Sequence, residues 1–128
     1  MTVTREAANH WLREYGHAWE AADPARAAQL FAEDCQYFET PFSAPAVGRD
    51  GVLKYWRAVP EGQADVTFQF QVLAVQSQTV IARWNASFTR VTSGACIRLD
   101  GVFVLEFARS GLCSTLREWW HRDEMPKP

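Results

Sequence analysis

Glu39 is the residue whose neighbours most favour chemistry. It stands in the stretch "YFETPF", with Tyr37 and Phe38 before it and Phe42 shortly after it. Aromatic side chains can remove water from a carboxylate, and desolvation raises the pKa of a carboxyl group toward the neutral range that suits a general base. The alternative is a solvated carboxylate at the end of a strand. The first interpretation predicts proton transfer, and the second predicts none.

Asp100, in "RLDGVF", is a second carboxylate, set in an otherwise apolar strand. An unpaired buried carboxyl group is costly and keeps its proton, which is what a hydrogen-bond donor to a developing oxyanion requires. The competing interpretation is an ion pair with Arg98, Arg83 or Arg117. His121, in "EWWHRD", is either an acid–base group in a pocket or a surface residue at a strand end.

The sequence has no glycine-rich phosphate loop and no spacing typical of a serine or cysteine nucleophile, so we expect any chemistry to proceed without a cofactor. His10 and His17 lie seven residues apart, with Glu14 as their only nearby acid, so we predict no metal site. The three cysteines show no C-x-x-C spacing. We expect free thiols in a reducing cytoplasm.

The length and charge of the chain exclude several classes of partner. Its 128 residues are 48% hydrophobic, which predicts one domain over residues 1–128. The 13 basic and 15 acidic residues are dispersed, without the basic clusters that bind nucleic acid or anionic membranes. The first residues are polar and no run is long enough to span a bilayer. We therefore predict a cytoplasmic protein that binds neither nucleic acid nor membrane.

The hydrophobic pattern changes its period along the chain. Apolar residues at three- and four-residue steps predict helices over residues 4–22, 24–32 and 51–58. A short strand is predicted near residues 35–39. Alternating patterns then predict four long strands, which begin near residues 66, 80, 96 and 112 and form a meander. Helices followed by a run of strands indicate an α+β fold.

The strand over residues 96–108 is apolar on both faces. Ile97, Phe103 and Leu105 share one side, whereas Val102 and Val104 share the other side with charged residues. One layer of helices covers only one face of a sheet. We therefore predict a homodimer in which a second copy covers the other face.

The stretches "YGHAWEAADPARAAQLFAEDCQYFETPF" and "VGRDGVLKYW" make the chain resemble the NTF2-like superfamily, in its SnoaL-like and ketosteroid-isomerase-like branch. The resemblance covers essentially the whole chain. It implies a cone in which three N-terminal helices pack on a curved, mixed but mostly antiparallel sheet and enclose an apolar pocket.

The resemblance also implies roles for three residues. Tyr15 and Asp100 would hydrogen-bond an oxyanion, while Glu39 would shuttle a proton. For Tyr15 the alternative is a structural side chain in a helix interface. Limonene-epoxide-hydrolase-like members use an Asp/Arg/Asp arrangement around a water molecule, and Arg83, Arg98 and Asp100 resemble that arrangement.

The aromatic residues indicate what the pocket binds. Packing in the core explains most of the six tryptophans. A pocket lined by indoles also suits a flat, small hydrophobic molecule. The predicted lining residues are Trp11, Trp19, Phe38, Phe42, Trp56, Trp84, Trp119 and His121. The predicted function is isomerase, cyclase or dehydratase chemistry by proton transfer. The alternatives are a ligand-binding module without turnover, a scaffold, and epoxide-hydrolase-like activation of water.

Overall fold

The computed structural model describes residues 3–126. The elements in chain order are α1 Arg5–Glu20, α2 Pro24–Ala28, β1 Phe31–Phe38, β2 Ala46–Val47, α3 Gly48–Ala58, β3 Gln63–Gln76, β4 Thr79–Arg90, β5 Cys96–Phe107 and β6 Cys113–Met125. A short 3-10 turn, Val59–Gly62, joins α3 to β3. The α+β class and the four-strand meander are confirmed.

Helix α1 begins where its sequence predicts. The Thr4 hydroxyl accepts a hydrogen bond from the backbone N–H of Ala7 at 3.0 Å, which satisfies one of the free donors at the start of the helix. The apolar positions then recur on one face, and Leu12 and Tyr15 are almost fully buried there. This face packs against β3 and carries the first aromatic side chains into the core.

Helix α2 is shorter than its periodicity predicts. Asp23 caps it by accepting from the N–H of Arg26 at 3.1 Å, but the helix ends at Ala28 rather than at residue 32. The carbonyl of Leu30 instead accepts from the backbone N–H of Cys113 at 3.0 Å. The pairing of the chain with β6 therefore prevails over local helix periodicity, and β1 already begins at Phe31.

The six strands form one sheet in the order β2-β1-β6-β5-β4-β3. Every neighbouring pair is antiparallel except β1 and β6, which run parallel. The sheet is therefore mixed and mostly antiparallel, as the resemblance implies. The parallel pair places the end of β1 beside the middle of β6, with Phe38 opposite Arg117.

The two faces of the sheet differ as the alternation of β5 predicts. Ile97, Phe103 and Leu105 are fully buried on the face that the helices cover, which we call the inner face. Arg98 and Asp100 are exposed on the opposite, outer face. The hydrophobic core thus lies between the inner face and the helices.

Gly101 occupies a position in β5 that has no room for a side chain. A Cβ atom there would lie 2.5 Å from the backbone oxygen of Trp119 and 3.0 Å from the Trp84 ring. Gly101 pairs with Trp84 on one side and with Trp120 on the other. The glycine allows these large side chains to pack against the strand.

We expect Gly101→Ala to lower the free energy of unfolding by about 1–3 kcal/mol, because the methyl group overpacks a closed site. The matched control is Gly62→Ala, where an added Cβ meets no atom within 4 Å. Urea denaturation of both variants measures the difference. Equal stability of the two variants would contradict the packing that we describe.

Candidate functional site

A cavity of about 300 Å³ lies between the helices and the inner face of the sheet. Its walls are largely aromatic, with two carboxyl groups and two guanidinium groups among them. The lining residues are Tyr15, Trp19, Tyr37, Glu39, Tyr55, Trp56, Val59, Gly62, Gln63, Trp84, Phe88, Arg90, Leu99, Glu118, Trp120 and Arg122.

A hydrogen bond between two tyrosine hydroxyls forms one wall of the cavity. The Tyr15 and Tyr37 oxygens lie 2.7 Å apart, and either hydroxyl can be the donor. Both side chains are almost fully buried, so desolvation raises the pKa of each well above its usual value. Both tyrosines therefore stay protonated, and one of the two hydroxyl protons is left for a further acceptor.

Glu118 is the functional candidate that the sequence analysis missed. It lies on the inner face of β6, and only 6% of it is exposed. Burial raises the pKa of this carboxyl group well above its usual value, and the charge of nearby Glu39 raises it further. Glu118 therefore holds its proton and is a hydrogen-bond donor. The sequence does contain a signal for this position. Glu118 is two residues away from both Leu116 and Trp120, so the three side chains lie on the same face of the strand.

Glu39 follows directly after β1 and contributes to the cavity wall, although the residue is exposed. The indole N–H of Trp120 donates to its backbone oxygen at 3.1 Å, which fixes this segment against β6. The expectation that Phe38 and Phe42 desolvate Glu39 is wrong. Phe42 is 99% exposed, and Phe38 packs its ring under the Arg117 guanidinium at 4.2 Å.

Tyr55 links the tyrosine pair to Glu39. It lies on α3, and its ring centroid is 4.9 Å from that of Tyr37. Burial raises the pKa of Tyr55 well above its usual value, and the charges of Glu118 and Glu39 raise it further. Three neutral phenols therefore stand beside two carboxyl groups in one cavity.

Asp100 does not belong to this cavity, and its predicted role as an oxyanion donor beside Tyr15 is wrong. It lies on the outer face, where Arg83 donates to it at 2.8 Å. This hydrogen bond is the main reason why the pKa of Asp100 is lowered. The ion-pair interpretation of Asp100 is the one that the structure supports.

The water-activating arrangement of Arg83, Arg98 and Asp100 also lies on the outer face. Arg98 pairs there with Asp123 of β6, as Arg83 pairs with Asp100. These exposed pairs connect neighbouring strands and do not contribute to the cavity wall.

The predicted lining residues lie in different parts of the structure, and the prediction that Phe38 and Phe42 line the cavity is wrong. Trp19, Trp56 and Trp84 contribute to the cavity wall, as the sequence analysis expected. Trp11 is buried in the core instead, stacked on Tyr15 with the ring centroids 5.3 Å apart.

Trp119 and His121 lie on the outer face, exposed, and their prediction as pocket residues is wrong. Trp120, the neighbour of both residues, lines the cavity instead. Adjacent residues of a strand lie on opposite faces of the sheet, so an error of one residue exchanges the two faces.

Several donors in the walls are buried or fixed. The indole N–H groups of Trp56 and Trp84 are buried, and no acceptor among residues 3–126 lies within hydrogen-bond distance of them. The indole N–H of Trp19 donates to the side-chain oxygen of Gln63 at 2.8 Å. The walls therefore combine aromatic surface with hydrogen-bond donors.

Within residues 3–126, no group of three or more His, Cys, Asp or Glu side chains is arranged to hold a metal ion. None of the helices described is long and apolar enough to cross a membrane.

Comparisons with known proteins agree with this architecture. A family model described as a SnoaL-like domain matches residues 12–115. A search of curated proteins gave no match. A Δ5-3-ketosteroid isomerase from Mycobacterium sp. is similar in structure, with a TM-score of 0.74, 13% identity, and coverage of 93% of this chain and 98% of that one.

Two further solved structures are similar. SalBIII, an epoxide hydrolase/cyclase-like enzyme of pyran ring formation in salinomycin, has a TM-score of 0.78 and 17% identity, with 91% of this chain and 92% of that one covered. A computationally designed 17-OHP binder has a TM-score of 0.79 and 16% identity, with 94% and 98% covered. At these identities the likeness shows the shared fold.

We expect Glu118→Gln to remove a pH dependence of stability. The raised pKa of Glu118 means that its proton stabilises the fold fully below the unfolded value of about 4.5, and that this contribution is lost as pH rises through the folded-state pKa. Between the unfolded-state pKa and the folded-state pKa of Glu118, the unfolding free energy of the wild type should fall relative to that of the variant. The decrease should be up to about 1.4 kcal/mol per pH unit.

Urea denaturation of both proteins across the pH range measures this difference. Glu61→Gln, at an exposed position in the 3-10 turn, is the control and should follow the wild type. A constant offset between the wild type and Glu118→Gln would contradict a protonated Glu118.

Proposed function

Because the chain belongs to the SnoaL-like family of the NTF2-like superfamily, we propose that its cavity binds a small hydrophobic molecule and transfers a proton beside a carbonyl group without a cofactor. The observation that carries this proposal is the buried, protonated Glu118 in the same cavity as Glu39 and the Tyr15–Tyr37 pair. Donors and a base in one cavity are the parts that enolisation needs.

In the proposed mechanism Glu39 removes a proton from the carbon next to the carbonyl. The electrons of the C–H bond form the C=C bond of an enolate, and those of the carbonyl π bond move to its oxygen. Hydrogen bonds from Tyr15 and from the Glu118 carboxyl group stabilise this oxyanion. In a β,γ-unsaturated ketone the enolate is conjugated with the existing double bond, and return of the proton from Glu39 to the γ carbon completes an isomerisation. In a β-hydroxy ketone the enolate expels the hydroxyl group, which takes the proton from Glu39 and leaves as water, and this completes a dehydration.

The environments of the two carboxyl groups support this division of roles. Glu39 is exposed at the end of β1, and its position in the cavity wall gives it access to a ligand. Glu118 is buried and holds its proton. Carboxyl groups in contrasting environments serve as base and acid in one site.

The walls limit the ligand to a flat and mainly apolar molecule. Trp19, Trp56, Trp84 and Trp120 present ring surfaces, and a cavity of about 300 Å³ accommodates a small ring system. This favours isomerase, cyclase or dehydratase chemistry on a cyclic carbonyl compound.

A second candidate is a binding module without turnover. The aromatic walls favour it, since a cavity of about 300 Å³ lined by ring surfaces can hold a mainly apolar ligand whether or not the ligand reacts. The proton-exchange experiment below separates the two functions.

We also propose that the protein is a homodimer through the outer face of the sheet. Trp119 is 47% exposed and Ile81 is 36% exposed on this face, near the partly buried Val102 and Val104. Arg83 and Arg98 lie on the same face and are paired with carboxylates, so the charges of these arginines are neutralised.

We expect Glu39→Gln to reduce catalysed hydrogen–deuterium exchange by about a hundredfold or more, because the amide cannot act as the base. The assay follows exchange at the carbon next to the carbonyl of β-tetralone in deuterium oxide by NMR. Binding of the ketone by the variant, measured by titration, should be retained.

Asp100→Asn is the matched control for this assay, because it alters a carboxylate on the outer face. It should exchange the ketone at the wild-type rate. If the wild type binds β-tetralone but exchanges it no faster than buffer does, the catalytic proposal fails and the binding module stands.

We expect Trp119→Glu to dissociate the dimer, since a carboxylate would be buried between two copies of the sheet. Sedimentation equilibrium measures the change in association. Phe42→Glu adds the same charge at a fully exposed aromatic position and should leave the association unchanged. A monomeric wild type would refute the proposed interface.

A further inference from the structure

The cavity has a second polar end, formed by Gln63, Arg90 and Arg122, which we call the rim cluster. We propose that the rim cluster binds a carboxylate of the substrate. The substrate is then a flat molecule with an enolisable carbonyl at one end and a carboxylate at the other. The carbonyl end rests on the proposed function, whereas the carboxylate end depends on the rim cluster alone.

Strand geometry separates the rim cluster from the proposed oxyanion donors. Arg122 lies four residues beyond Glu118 on the inner face of β6, which corresponds to about 13 Å along the strand. Arg90 lies six residues beyond Trp84 on β4, toward the same end of the sheet. A ligand that reaches both ends must be an elongated molecule.

The orientation of the Gln63 amide follows from its partner. The Trp19 indole N–H can only donate, so the atom of Gln63 at 2.8 Å must be the carbonyl oxygen. The amide NH₂ is consequently the end that remains for another acceptor. Gln63 is half-buried at the cavity wall, where this NH₂ can donate to a ligand oxygen.

The two arginines supply positive charge at the rim. Arg90 donates to Glu124 at 3.2 Å, which neutralises its charge and fixes it across the end of the sheet. Arg122 forms no ion pair within residues 3–126. Its guanidinium therefore gives the rim cluster a net positive charge.

These donors match a carboxylate better than other groups. A guanidinium presents planar N–H donors to two oxygens, and the Gln63 amide adds another donor. An ammonium group would be repelled by the positive charge of Arg122. The carboxylate of Glu39 belongs to the wall formed by β1 and α3.

Two probes of the same shape test the proposal. One is a hydroxynaphthoic acid with its hydroxyl and carboxyl groups at opposite ends of the ring system, and the other is the corresponding primary amide. Both present the hydroxyl to the Tyr15 end, and only the acid carries a charge to the rim cluster. At neutral pH, calorimetry should show that the wild type binds the acid about tenfold more tightly than the amide.

Arg122→Met should abolish this preference and leave the affinity for the amide unchanged. Arg117→Met, on the same strand but on the outer face over Phe38, should retain the preference. Gln63→Leu should weaken binding of the acid as well, because it removes the fixed donor.

Equal affinities of the wild type for the two probes would overturn the carboxylate proposal. So would an Arg122→Met variant that loses affinity for both probes alike. The amide reports separately on the proposed function, because Tyr15→Phe should weaken its binding. If Tyr15→Phe has no effect while the preference for the acid persists, the proposed function fails and the rim cluster stands.

Discussion

The hydrogen bond between the hydroxyls of Tyr15 and Tyr37 joins the two layers of the fold. It connects the first helix to the first strand inside a wall of aromatic rings, where both side chains are almost fully buried. A buried hydroxyl without a partner would be costly, so the bond fixes the distance between helix and sheet. Both tyrosines line the cavity, so the same bond holds two of its wall residues in place.

Glu118 is the second constraint on the site. A carboxyl group among indoles and phenols opposes folding in its ionised form, and no cation pairs with it among the contacts of the described residues. The fold accommodates the group by keeping it neutral. Such a residue does not improve the core, which is why we assign it to chemistry rather than to stability.

The sequence predicted those features that depend on local periodicity. The first helix, the four long strands and the two faces of β5 follow from residue spacing alone. The end of α2 did not, because strand pairing at Leu30 competes with the helix. The site residues were harder still, since Asp100 and Glu118 are both carboxylates in apolar strands and only the phase of each strand distinguishes them.

Trp119 and Trp120 show the same limit, because adjacent residues of a strand lie on opposite faces and either indole could have faced the cavity. The surroundings of Glu39 could not be deduced either. Of its aromatic neighbours in the sequence, Tyr37 lines the cavity with it, whereas Phe38 and Phe42 do not. The other aromatic walls come from residues that are distant in the sequence.

A substitution at Gly101 can change the size of ligand that the cavity accepts, although Gly101 is not one of the lining residues. The ring of Trp84 rests against this glycine on one side and bounds the cavity with its surface. A larger residue behind the ring would push it forward and make the cavity shallower. Selectivity for ligand length can therefore evolve at a strand position behind the wall. A change there alters the range of ligands that fit and lowers the stability of the fold at the same time.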